Sequence, residues 1–198
     1  MSMNLKQIRT IAFCGGGFTL AGLVFLAFGS GASTDTNFFL AHAVFGAGGG
    51  LGLGLALREK RMVFFLPFLG LVAFPLLFQS IVGIASFLRP VFEFGGSAGI
   101  FNYLPTVLLY GLMGSGMGLL YSLVLKRNDL RLMLVKYGAL FFALGFLITT
   151  PILFFIQSNV WPHILTIIYT IGGVGLGLAL YRSVDVEENG SIILRNTG

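Results

Sequence analysis

The sequence predicts an all-α integral membrane protein with six transmembrane helices. Hydrophobic residues make up 56% of the 198 residues and charged residues only 10%, with a mean hydropathy of +0.94. Six apolar segments are each long enough to cross a hydrocarbon core of about 30 Å, which takes roughly 20 residues. Basic residues gather at alternate ends of these segments. We expect one domain over residues 1–182, a short cytoplasmic tail over 183–198, and spans near 8–29, 37–57, 62–88, 99–125, 131–157 and 162–182.

The first span begins with basic residues and continues into an apolar run. Lys6 and Arg9 precede that run, and Ser30 and Ala32 follow it, which also fits a secretory signal peptide. The apolar stretch is longer than a signal core, so we predict a retained helix. The chain's single cysteine, Cys14, lies inside this span and cannot form an internal disulfide, so we interpret it as a small packing residue.

The second, fourth and sixth spans are rich in glycine. Glycines four positions apart lie on one face of a helix and allow a second backbone to approach closely. We therefore predict that close helix packing depends on three pairs: Gly50 and Gly54, Gly114 and Gly118, Gly173 and Gly177.

The recurring glycines indicate three parallel helical hairpins of roughly 55 to 70 residues each. The most similar segments are GLGLALR at Gly52–Arg58 and GLGLALYR at Gly175–Arg182. Parallel copies would be related by a pseudo-threefold axis along the membrane normal. Convergence is the alternative, because glycine and leucine are common in membrane helices and the odd spans show little similarity.

Prolines mark the odd spans: Pro67 and Pro75 in the third, Pro151 in the fifth. Proline within a helix removes a hydrogen bond and usually bends the helix, so we expect bent odd helices beside close-packed even ones. Most of the 21 phenylalanines should face lipid or fill gaps between helices.

The distribution of basic residues predicts the topology. Threading the six spans in order puts only Arg89 on one side, and the positive-inside rule then makes both termini cytoplasmic. This indicates a multi-pass protein of a bacterial inner membrane or an equivalent bilayer. The net charge of +5 follows from topology, so no nucleic-acid partner is expected. The predicted cytoplasmic side carries all the other basic residues: Lys6, Arg9, Arg58, Lys60, Arg61, Lys126, Arg127, Arg131, Lys136, Arg182 and Arg195.

Polar side chains concentrate in the outer half of the predicted spans. A polar group in hydrocarbon is costly unless it is paired or lines water, so these groups should turn inward together. Our hypothesis is an outward-opening polar pocket above a glycine-packed floor. Bonds to the residues' own helix carbonyls are the alternative. The predicted pocket residues are His42, Gln79, Asn102, Tyr110, Thr149 and Thr170.

Two histidines, His42 and His163, are predicted at similar depth near the outer surface. Imidazoles placed in this way could ligate a haem, a chlorophyll-type pigment or a metal. Interfacial histidines bonded to the backbone or to neighbours are the alternative. The sequence identifies no other metal site and no particular cofactor.

Catalytic residues are not evident in this sequence. All seven acidic residues map to loops or to the tail, which disfavours a carboxylate relay. Ser115 has no positioned base, and a serine without one is only a small packing residue. We therefore predict that the protein is not an enzyme.

Two functions fit these observations. The first is binding or transport of a small, uncharged or weakly polar solute through the outward-facing pocket. The second is a non-catalytic accessory or assembly subunit of a larger membrane complex, associated with pigments or cofactors. The lipid bilayer is the expected partner in both, with a small-molecule ligand in the first and a membrane-protein partner or oligomer in the second.

Overall fold

A computed structural model describes residues 5–28, 34–92, 104–126, 128–155, 161–182, 185–186 and 192–193. Two short strands, β1 (Asp185–Val186) and β2 (Ile192–Ile193), pair antiparallel in the tail. The rest of the architecture is helical: α1 (Leu5–Phe28), α2 (Thr34–Leu57), α3 (Lys60–Phe92), α4 (Leu104–Val124), α5 (Asn128–Phe155) and α6 (Trp161–Arg182).

Each of the six helices is long and apolar enough to cross a membrane, which indicates a multi-pass membrane protein. Six such helices were expected from the sequence. The predicted start of the fourth span, at residues 99–103, lies outside the described residues. Helix α3 continues through Pro67 and Pro75, and α5 continues through Pro151. A proline removes a single backbone donor, and packed neighbours in a membrane bundle let the helix continue past it.

The helices form a closed ring in chain order. Each helix packs on the one before it and the one after it, and α6 closes the ring by packing on α1. The junction between α3 and α4 is the sparsest of the six, whereas α2–α3, α4–α5 and α6–α1 are the most extensive. Helices α2 and α6 are the most enclosed, and α3 is the least enclosed.

A glycine crossing joins α2 to α3. A Cβ atom added at Gly46 would collide with the backbone carbonyl of Gly70, and one at Gly50 would collide with that of Leu66. An added Cβ atom at Gly54 would also be too close to the backbone of Met62, although by a smaller margin. This face of α2 therefore tolerates no side chain, because the neighbouring backbone occupies the space.

The same crossing recurs between α4 and α5. Gly114 faces the carbonyl of Gly138, and Gly118 faces that of Leu134. The same 68 positions separate Gly46 from Gly114 and Gly70 from Gly138. The two helix pairs therefore share one contact register.

A related crossing joins α6 to α1. Gly173 lies against the backbone carbonyl of Cys14, and Gly177 lies against Thr10 and Ile11. Cys14 occupies the place that Gly70 and Gly138 hold in the other two pairs. Each predicted glycine pair thus meets an odd helix: α3, α5 or α1.

The turns after α2 and α4 have matching conformations. Arg58 has φ of 57° and Lys126 has φ of 53°, and these two positions are again 68 residues apart. A side chain in this left-handed region costs about 1 kcal/mol relative to glycine.

Lys126→Gly is therefore expected to stabilise the protein by about 1 kcal/mol and to raise its melting temperature in detergent by roughly 2–4 °C. Lys126→Ala is the matched control, because it removes the charge but keeps the Cβ atom. Equal melting temperatures for the two variants would show that the left-handed conformation is not the source of strain.

Candidate functional site

Three phenylalanines meet at the centre of the ring, one from each odd helix. Phe18 of α1, Phe74 of α3 and Phe142 of α5 are fully buried. Their ring centroids are 6.2, 6.1 and 6.5 Å apart, which is close to an equilateral triangle. We call these residues the phenylalanine triad. They close the middle of the bundle with aromatic surface.

The ring of Tyr169, from α6, lies against all three members of the triad. Its centroid is 6.1 Å from Phe18, 5.3 Å from Phe74 and 5.6 Å from Phe142. Its hydroxyl donates a hydrogen bond to the Sδ atom of Met113 at 3.8 Å. Tyr169 is thus buried at the centre of the helix ring, with a polar tip directed to α4.

His42 of α2 and Tyr110 of α4 lie beside Tyr169 in corresponding arrangements. The His42 ring stacks on Phe78 at 3.6 Å, and the Tyr110 ring stacks on Phe146 at 5.2 Å. Both rings meet Tyr169 edge-on, at 5.7 and 6.4 Å. We call His42, Tyr110 and Tyr169 the outer aromatic layer.

The glycine crossings position this layer. His42, Tyr110 and Tyr169 each lie four residues before a crossing glycine: Gly46, Gly114 or Gly173. Residues four apart share a helix face, and side chains lean toward the helix N-terminus. All three side chains therefore lean away from the glycine floor, toward the end of the bundle that we predict to be the outer one.

Two predicted pocket residues use their hydroxyls within the bundle. Thr149 is buried, and its hydroxyl is bonded to the carbonyls of Gly145 and Phe146 in its own helix, at 2.9 and 3.0 Å. Thr170 lies 2.9 Å from the Thr19 hydroxyl. Thr19 donates its proton to the Gly15 carbonyl, so Thr170 is the donor to Thr19.

Of the remaining sequence-predicted site residues, Gln79 and His163 are not among the described ring contacts of this layer. The Gln79 side chain is exposed on α3. His163 is exposed near the start of α6, whereas His42 is fully buried, so the two imidazoles have different environments. Asn102 lies outside the described residues.

The outer aromatic layer offers uncharged chemistry. It presents one imidazole, two phenols and several aromatic faces, and no charged side chain is among its ring contacts in the described part of the chain. Among the described residues, no group of three or more His, Cys, Asp or Glu side chains could hold a metal ion. The layer suits an uncharged molecule that can stack on rings and exchange one or two hydrogen bonds.

Tyr169 and the phenylalanine triad are not among the site residues that the sequence predicts. The available signal was the repeated spacing, because Phe74 and Phe142 are 68 positions apart, as are Phe78 and Phe146. The chain matches no protein-family model, and the searches of curated proteins and of solved structures found no significant match. Its function therefore has to be inferred from its own geometry.

Proposed function

We propose that this protein binds or transports a small, uncharged or weakly polar solute at the outer aromatic layer. The observation that carries this proposal is the convergence of His42, Tyr110 and Tyr169 on one buried site above the phenylalanine triad. One imidazole and two phenols bring hydrogen-bonding groups into a buried site that apolar residues could fill without them. A binding role explains why these polar rings lie in the membrane interior.

Internal symmetry supports a transport role. We infer three parallel repeats, each made of an even helix and an odd helix: α2–α3, α4–α5 and α6–α1. This division differs from the consecutive hairpins expected from sequence, and the matched glycine crossings and the near-equilateral triad favour it. Transporters built from repeats place their substrate sites at the repeat interface, near mid-membrane. The outer aromatic layer takes one residue from the even helix of each proposed repeat, so it lies at such an interface.

Topology fits the same proposal. Exposed basic residues at the turns after α2 and α4 include Arg58, Lys60 and Lys126. By the positive-inside rule, the end of the bundle that carries these turns faces the cytoplasm. Both termini then lie in the cytoplasm as well. The membrane would be a bacterial inner membrane or an equivalent bilayer. The outer aromatic layer would lie in the outer half of the membrane, closed from the cytoplasm by the triad.

One observation favours the second candidate, an accessory subunit of a larger complex. The exposed Gln79 lies within the apolar span Lys60–Ile84. In our proposed repeats its counterparts are Leu23 and Leu147, which are 56% and 55% exposed. The other two odd helices therefore expose a leucine at the position where α3 exposes an amide. An exposed amide suits a contact with a neighbouring membrane chain, because polar side chains form hydrogen bonds between membrane helices.

Native mass spectrometry of the protein gently extracted from its own membrane tests both candidates. For the solute function we expect a single chain with a stoichiometric small molecule, and we expect Tyr169→Phe and Tyr110→Phe to lose that molecule. Gln79→Leu is the matched control and should retain it. Defined partner subunits that Gln79→Leu releases, with no bound solute, would instead establish the accessory role.

A further inference from the structure

A tyrosine is buried below the triad, where the other repeats carry leucine. Tyr121 of α4 is fully buried, and its hydroxyl has no hydrogen-bond partner within the described residues. The corresponding positions in the other repeats are Leu53 and Leu180, both fully buried. An unsatisfied buried hydroxyl destabilises the folded protein, and leucine at the same place avoids that cost. The Tyr121 hydroxyl is therefore free to donate a hydrogen bond to a ligand.

The only thiol of the chain, that of Cys14, is buried at a similar depth in the bundle. Cys14 belongs to α1, and its Cβ atom lies beside Gly177 of α6. The counterpart of Gly177 on α4 is Gly118, one helical turn before Tyr121. Cys14 also departs from the repeat pattern, since its counterparts are Gly70 and Gly138. Two polar groups that the symmetry does not require thus occur together at one level of the bundle.

The triad separates this level from the outer aromatic layer. The triad rings contact Gly49 and Gly172, whose counterparts on α4 are Met117 and Met113. Both methionines lie between Tyr110 and Tyr121, which are about 16 Å apart along the helix. Tyr121 is therefore on the cytoplasmic side of the triad in our topology, and Tyr110 is on the outer side.

We propose that the Tyr121 hydroxyl and the Cys14 thiol form an inner binding site for the transported solute, separated from the outer aromatic layer by the phenylalanine triad. This inference rests on the proposed transport function. A phenol donates a strong hydrogen bond and a thiol only a weak one. The solute is therefore an uncharged molecule with a hydrogen-bond acceptor such as a carbonyl or ether oxygen. The triad acts as the barrier between the two sites.

N-ethylmaleimide is a suitable probe, because it is small, uncharged and carries two carbonyl acceptors. In its reaction the Cys14 sulfur bonds to one alkene carbon, the ring double bond is consumed, and the thiol proton ends on the neighbouring carbon. Because the chain contains a single cysteine, intact mass reports the reaction at this one site. The experiment follows adduct formation over time in protein reconstituted in lipid nanodiscs.

We expect the folded wild-type protein to be alkylated. Tyr121→Phe should react roughly fivefold more slowly, because it lacks the hydroxyl that donates to the probe, and losing one neutral hydrogen bond changes a rate by about that factor. Tyr121→Leu, which copies the other repeats, should show the same loss with an unchanged or higher melting temperature. Tyr137→Phe is the control, because Tyr137 stacks on Phe141 of the same helix, at 6.0 Å, and its rate should equal that of wild type.

Two results would overturn the inner site: no adduct in the folded wild-type protein, or equal rates for wild type and Tyr121→Phe. These results are separable from failure of the transport function. A copurified solute that Tyr169→Phe releases, together with an inert Cys14, would reject the inner site alone. A Tyr121-dependent adduct in a protein without any bound solute would support the polar site and reject the transport function.

Discussion

Gly114→Leu is expected to lower the melting temperature in detergent by at least about 10 °C, or to prevent recovery of folded protein. Gly114 faces the backbone carbonyl of Gly138, which cannot rotate away as a side chain could. Overpacking a core costs roughly 1–3 kcal/mol and more where the backbone must move, and each kcal/mol is worth about 2–4 °C in a chain of this size. Gly50→Leu and Gly173→Leu should behave alike, since each glycine meets the backbone of an odd helix.

Gly16→Leu and Gly83→Leu provide the matched controls. A Cβ atom at either position meets nothing within 4 Å. Leucine also has the higher helix propensity, so these variants should melt at or slightly above the wild-type temperature. Equal melting temperatures for all the leucine variants would show that close backbone approach does not stabilise the bundle.

Tyr169→Ala should have the second largest effect. Its ring contacts six other aromatic rings, contributed by α1, α2, α3, α4 and α5. Truncating a buried aromatic side chain to alanine costs about 3–5 kcal/mol, because the surrounding structure collapses only partly. We expect a fall in melting temperature of roughly 10 °C or more, measured by intrinsic fluorescence during a thermal ramp.

Two control variants distinguish the stabilising effect of the Tyr169 ring from that of its hydroxyl and from a general effect of losing side-chain volume. Tyr169→Phe keeps the ring and removes only the bond to Met113, at a cost of about 1 kcal/mol. Phe68→Ala removes a ring that is 67% exposed on α3, so its effect should be small. A loss at Phe68 as large as that at Tyr169 would mean that the bundle is not organised around its centre.

Hydropathy was sufficient to predict the six helices, because a bilayer requires a fixed length of apolar helix. It could not predict which helices pair. Gly50 and Gly118 indicate that another helix backbone lies close, but a glycine has no side chain that would identify which helix that is. The partners were found only from the contacts of Gly46 with Gly70 and of Gly114 with Gly138.

The repeat register also escaped sequence comparison. Similarity of GLGLALR and GLGLALYR aligns Gly52 with Gly175, whereas the contacts align Gly46 with Gly173, one helical turn away. Alternating glycine and leucine match themselves at several shifts, so local similarity cannot choose between registers. The phenylalanines of the odd helices resolve the ambiguity, because each occupies a unique place at the centre.

For the candidate site, the sequence indicated the depth of polar groups but not their direction. Phe78 and Gln79 are neighbours in sequence, yet Phe78 stacks on buried His42 while Gln79 is exposed. Adjacent positions on a helix differ by about 100° in direction. Only the packing of α3 against α2 decides which of the two points inward.

The contact between α1 and α6 has a consequence for biosynthesis. Thr19 and Thr170 are hydrogen-bonded although 151 positions separate them in the chain. Helix α1 leaves the ribosome well before α6, so its glycine-lined face stays uncovered until α6 has been synthesised. Such long-range closure is slow and leaves an unfinished surface open to wrong partners. Nascent chains that stop before α6 should be the preferred clients of membrane chaperones and quality-control proteases.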